Sequence, residues 1–176
     1  MSEDTPWLTP DELAAWVHLT GVLMTLPPVI DAQLKRDASI NFFEYSILVG
    51  LSHPPGRAVP LCSLVLLAHG SPSRLSHALS RLEKQGWIQR RGVDGDPRSV
   101  EALLTDAGYA KLVATAPNHA REVRQRVIDV LPPEDLAQFS VLCRRLLASL
   151  SPESLIPIDQ ALLDGPAATG GKAPGC

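Results

Sequence analysis

Between Ser71 and Gly86 the chain marks both ends of a helix, and no other stretch constrains the fold as tightly. Ser71 is a good N-cap, and Pro72 follows at the first helical position, where a missing N–H costs nothing. Leu75, Ala78, Leu79 and Leu82 recur at the spacing of one helical face, which predicts that this face is buried. At about 100° per residue the opposite face carries Ser73, His77, Ser80 and Lys84, flanked by Ser76 and Arg81. Gly86 suits a left-handed C′ position, so the helix is expected to end there with Trp87 packing back on Leu82. Trp87 to Arg91 and Ser99 to Leu104 then flank the turn-rich segment 92–97, the pattern of two strands joined by a loop.

Small polar side chains in the first turns can approach base edges, and basic ones further along can meet phosphates, the two tasks of a helix that reads a DNA groove. The alternative is an amphipathic surface helix with a solvated basic side. The formal charge of −3 gives no global argument for nucleic acid. Locally, however, residues 71–98 hold Arg74, Arg81, Lys84, Arg90, Arg91 and Arg98 against Glu83, Asp94 and Asp96.

The remaining chain frames this unit. At 176 residues it fits one domain. Residues 1–8 read as a flexible arm. Thr9 then caps a helix with Pro10 at its first position and an apolar stripe of Leu13, Trp16, Val17, Thr20, Leu23 and Met24. Pro27 and Pro28 interrupt that pattern, which predicts a kinked or divided first helix. Asn41 to Ser52 is a second helix, Arg57 to Leu61 a small strand, and a very apolar helix begins at Cys62 or Ser63 and ends at Gly70. Two short helices meeting at His69-Gly70-Ser71 fit a helix-turn-helix. Thr105 caps a long helix toward Val130 with a kink at Pro117. The last helix, Glu134 to Leu150, carries Leu136, Phe139, Leu142, Cys143, Leu146 and Leu147 on one side. Beyond Ser151 the composition predicts disorder, apart from a turn of helix near 156–163. The class is therefore mainly α with a small β-hairpin wing. Apolar helices outside the helix-turn-helix need a partner surface, which a two-fold dimer supplies. No long apolar run or basic leader is evident at the N-terminus, so a cytoplasmic protein without a membrane partner is expected.

With these residues in place the sequence resembles the MarR family of winged-helix transcriptional regulators over about residues 9–150. The resemblance rests on PSRLSHALSRLEKQGWIQRR, on Asp96-Pro97-Arg98 matching an Asp-x-Arg wing tip, and on Leu104-Thr105-Asp106-Ala107-Gly108 matching a Leu-Thr-x-x-Gly helix entry. It implies dimerisation helices at about 9–37 and 105–150, a DNA-binding lobe at about 41–104, and a tail from 151 to 176. It also implies a homodimer on a pseudo-palindromic duplex, with recognition helices in successive major grooves and wings in flanking minor grooves. By position, Ser71, Ser73, Arg74, Ser76 and His77 are assigned to bases or nearby phosphates. Arg98 is assigned to the minor groove, with Asp96 orienting it. Arg81, Lys84, Arg90 and Arg91 are assigned to phosphates. Pro27-Pro28 departs from the family's long unbroken first helix.

The resemblance further implies a repressor answering to a small, aromatic effector, for which Trp16, Leu19, Phe43 and Tyr45 are candidate lining residues; the same spacing also suits core packing. Cys62 and Cys143 read as reduced, buried thiols, and Cys176 sits in the tail. Cys62, His69 and His77 lack the spacing of a zinc site, so neither metal nor cofactor is expected. No nucleophile elbow or phosphate loop is present, which argues against an enzyme. The competing readings are a winged-helix protein-interaction module without DNA binding and a redox-responsive regulator.

Overall fold

The computed structural model describes residues 5–67, 70–93 and 96–155, with the side chains at 66, 67, 96–98 and 154 left undescribed. Helix α1 (Pro10–Ala38) starts with a capping box: Thr9 Oγ1 accepts from the Glu12 N–H, and the Glu12 carboxylate accepts from the Thr9 N–H. It ends at Ser39, whose left-handed φ of 55° lets its N–H reach the Lys35 carbonyl. Helix α2 (Phe42–Ser52) repeats the device with Asn41 and Glu44. Strand β1 (Ala58–Pro60) and helix α3 (Leu61–Leu67) follow, then α4 (Pro72–Lys84), the hairpin β2 (Ile88–Val93) and β3 (Asp96–Leu104), α5 (Asp106–Val123) and α6 (Pro133–Leu150).

The sheet is antiparallel in the order β1-β3-β2, so the small strand β1 anchors the hairpin to the helical lobe. Val59 pairs with Ala102, and Arg91 with Glu101. The hairpin strands run further than the sequence suggests, to Val93 and from Asp96, with a register shift at Gly92/Val93. Behind the sheet, Leu34, Ile40, Ile47, Leu48, Leu51, Leu64, Leu79 and Leu82 form a fully buried centre drawn from α1 through α4.

The junction into α5 is tightly built. Thr105 Oγ1 accepts from the Gly108 N–H at 3.0 Å and lies 2.7 Å from the Gly86 carbonyl, to which it donates. The Thr105 N–H reaches the Trp87 carbonyl. A Cβ at Gly108 would stand 2.0 Å from that same carbonyl oxygen, so only glycine fits. This is the physical content of the Leu-Thr-x-x-Gly segment.

Several expectations need correction. Helix α1 is not divided: it runs through Pro27 and Pro28 as one element of 29 residues. Proline's fixed φ is already helical, and the Leu23 and Met24 carbonyls that lose their donors belong to residues 58% and 72% exposed, where water can replace the missing N–H. The N-terminal region does contain a long apolar stretch, since α1 is long and apolar enough to cross a bilayer by length and composition. Helix α5 passes through Pro117 without a break, then yields at Arg124–Ile128 to a π-helical turn rather than continuing regularly. Cys62 and Cys143 are both exposed rather than buried, because α6 buries no residue within the chain and Cys62 faces outward from the start of α3. Cys62 is disulfide-bonded, not reduced. Residues 1–4 of the arm, His69 of the helix-turn-helix and the 156–176 part of the tail lie outside the described residues.

Candidate nucleic-acid interface

Helix α4 is held by caps at both ends. Ser71 Oγ accepts from the Arg74 N–H, while the Gly86 N–H reaches the Glu83 carbonyl and the Trp87 N–H the Leu82 carbonyl, a complete Schellman motif with Gly86 at φ 73°. Leu75, Ala78, Leu79 and Leu82 are buried, so the helix cannot rotate without exposing core. Its other face, with Ser71, Ser73, Arg74, Ser76, His77, Ser80, Arg81 and Lys84, is exposed. Arg74, His77, Ser80, Arg81 and Lys84 line a shallow groove along it.

The cations on and beside this face fall into two groups. Arg81, Arg90 and Arg91 each have a carboxylate inside the chain. Arg81 Nε lies 2.6 Å from Glu44 Oε1, Arg90 meets Glu83 at 2.6 Å and 2.9 Å through its terminal and ε nitrogens, and Arg91 Nε lies 2.6 Å from Glu101 Oε1. The Arg90 pair, reinforced by the Arg90 N–H, holds the Glu83 carboxyl below its ordinary value. Lys84 and His77, by contrast, carry no ion pair among the described residues. Arg74 is held differently, its guanidinium 4.3 Å over the Phe43 ring. Phe43 in turn lies against the helix-turn-helix corner: a Cβ at Gly70 would come within 2.5 Å of its ring, so the corner is glycine for closeness.

No protein-family model matches the sequence. The PecS transcriptional regulator of Dickeya dadantii is 39% identical over 117 residues, 64% of this chain and 68% of PecS. Among solved structures, a MarR family transcriptional regulator from Streptomyces coelicolor, determined in complex with DNA, is 39% identical at a TM-score of 0.79, covering 82% of this chain and 94% of that one. The chain belongs to the MarR family. AbsC, a second MarR family regulator from the same organism, is 32% identical at a TM-score of 0.78 over 83% of this chain and 98% of its own. The MarR family consists of transcriptional regulators, not enzymes.

Within this MarR family member the structure gathers the residues assigned to α4 onto one exposed face and puts the Arg90 and Arg91 side of the wing beside it. The side chains of Asp96 and Arg98 lie outside the described residues; their backbone opens β3. The four aromatic and aliphatic candidates for an effector pocket are not alike. Phe43 and Tyr45 are core residues, the latter with its ring 4.5 Å from that of His119, whereas Trp16 is 55% exposed on α1. Leu19 is half-buried on the same helix. Sequence reasoning missed the acidic partners Glu44, Glu83 and Glu101. The Asn41-x-x-Glu44 capping box was a usable local signal for the first; the others are set by the hairpin register and the helix end.

Proposed function

We propose that this protein is a homodimeric, sequence-specific duplex-DNA-binding regulator that places α4 in the major groove and its wing in the adjacent minor groove. The observation that carries this reading is the outward face of α4, rigidly capped, buried behind, and presenting Ser71, Ser73, Arg74, Ser76, His77 and Lys84 with no internal carboxylate opposing them. The relative determined with DNA supports it by analogy. Arg98, by its place in the Asp96-Pro97-Arg98 wing segment, is assigned to the minor groove and Asp96 to orienting it.

Dimerisation is supported by where the apolar surface lies. Leu13, Trp16, Val17, Leu23 and Met24 on α1, and Phe139, Leu142 and Leu146 on α6, are all at least 40% exposed. A helix that is apolar around much of its circumference needs cover on more than one side. A second copy contributing its own α1 and α6 provides it, burying the apolar length of α1 without a membrane. The activity of such a dimer depends on the distance between its two α4 helices, so a small effector that binds one dimer shape more tightly than the other would control it. Trp16 and Leu19 are the lining candidates that stand on this outer helix. In this reading the protein acts in the cytoplasm as a repressor.

Titrating a labelled duplex from upstream of the protein's own gene at two salt concentrations tests the proposal. Tight binding that weakens steeply with salt is expected, because phosphate contacts release counterions. Binding that is absent, or indifferent to salt, would instead favour a protein-interaction module.

A further inference from the structure

The recognition helix is gripped from both sides by ion pairs whose anions come from different elements. On one side, Glu44 is 7% exposed and both its oxygens are used: Oε2 accepts the Asn41 N–H that starts α2, and Oε1 accepts from Arg81 Nε on α4. On the other, Glu83 near the end of α4 takes the Arg90 backbone N–H on Oε1 at 3.0 Å and its guanidinium on Oε2. Thus α2, α4 and the wing root are joined in series through Asn41, Glu44, Arg81, Glu83 and Arg90.

Turning Arg81 away to a phosphate would leave the Glu44 carboxylate buried without its counter-charge, which costs far more than an exposed phosphate contact returns. Arg90 is similarly committed, since Glu83 holds it at three points including its backbone. Resting on the DNA-binding reading above, we propose that Arg81 and Arg90 are positioning residues that fix the angle of α4 against α2 and the wing, and that the phosphate charge is met instead by Lys84 and other cations without a carboxylate partner.

The two roles separate experimentally. A phosphate contact contributes to every duplex and to the salt slope, whereas a positioning residue matters only where base edges must be met in register. The measurement is affinity for the upstream duplex and for a random-sequence duplex of equal length, each across a salt series, for the wild type, Arg81→Gln, Arg90→Gln, Glu44→Gln and Lys84→Gln. For the arginine variants and Glu44→Gln, specific affinity should fall roughly five- to tenfold while random-sequence affinity and the salt slope hold. For Lys84→Gln both affinities should fall, with a slope smaller by about 0.9. The double variant Glu44→Gln/Arg81→Gln should bind as either single variant does, because both remove one pair.

A slope reduced by about 0.9 in Arg81→Gln or Arg90→Gln would overturn the proposal. So would tighter binding by Glu44→Gln, the sign of an arginine released to the backbone. A lowered melting temperature with an unchanged ratio of specific to random affinity would reduce the pairs to stabilising contacts. If Glu44→Gln fails to fold, Arg81→Gln decides alone, its side chain being 60% exposed. Wild-type protein that binds neither duplex would sink the DNA reading itself, a result distinct from all of these.

Discussion

A methyl group at position 108 has nowhere to go. The backbone carbonyl it would strike, that of Trp87, is already held by the Thr105 N–H, and Leu104 closes the other side with its Cδ1 at 2.7 Å. Gly108→Ala should therefore cost about 2–3 kcal/mol, the upper range for overpacking, because a backbone atom cannot turn aside as a side chain can. Thermal melting of the variant checks this, and an unchanged melting temperature would contradict it. A second residue-scale consequence concerns His119, half-buried between Gln33 and the rings of Tyr45 and Phe42, where desolvation pushes its pKa below the ordinary 6.5. The unfolded chain then binds the proton more readily than the folded one, so stability is intact above about pH 6.5 and declines as pH falls from there through the lower folded value. Melting temperatures across pH 5–8 should show this decline in the wild type and a smaller one in His119→Gln. The carboxyls held low by hydrogen bonds and cations, Asp31, Asp37 and Glu83, lose their contribution only at more acid pH.

At the scale of elements, α4 shows what a sequence specifies locally. Ser71, Pro72, Gly86 and Trp87 act within a few residues of the helix they delimit, and each occupies the position its chemistry predicts. Ser71→Ala should accordingly lose about 1 kcal/mol, read by chemical denaturation. Thr105 and its α5 entry are legible for the same reason. The long-range features were not. The pairing of β1 with β3 joins Ala58 to Leu103, and the bridge from Glu44 to Arg81 spans two intervening elements, distances at which residue type alone names no partner. Arg81, Arg90 and Arg91 therefore read as surface cations until the structure gives each a carboxylate. The prolines of α1 misled in the opposite direction: the rule that proline breaks a helix assumes that the orphaned carbonyls go unsatisfied, whereas here they lie on an exposed stretch. Burial of Phe43 and Tyr45, which sequence spacing left open between pocket and core, follows from their contacts with α4 and α5 respectively.

At the scale of the whole molecule the chain divides by how well it covers itself. The lobe from α2 through β3 has a closed core, while α1 and α6 turn apolar side chains outward. Replacing Leu142 and Leu146, which are 54% and 47% exposed, with aspartate should leave the lobe folded and yield a monomer by sedimentation. It should also abolish tight specific binding, because the two copies of α4 no longer act together. A variant that stays dimeric would place the interface elsewhere. The central claim, that a dimer reads duplex DNA through paired α4 helices, is tested most directly by selecting bound duplexes from a random-sequence pool with the full-length protein and sequencing them. The account predicts a two-fold symmetric motif whose half-sites are centred about one helical turn, roughly 10 base pairs, apart. No enrichment, or a single asymmetric site bound by one copy, would contradict it.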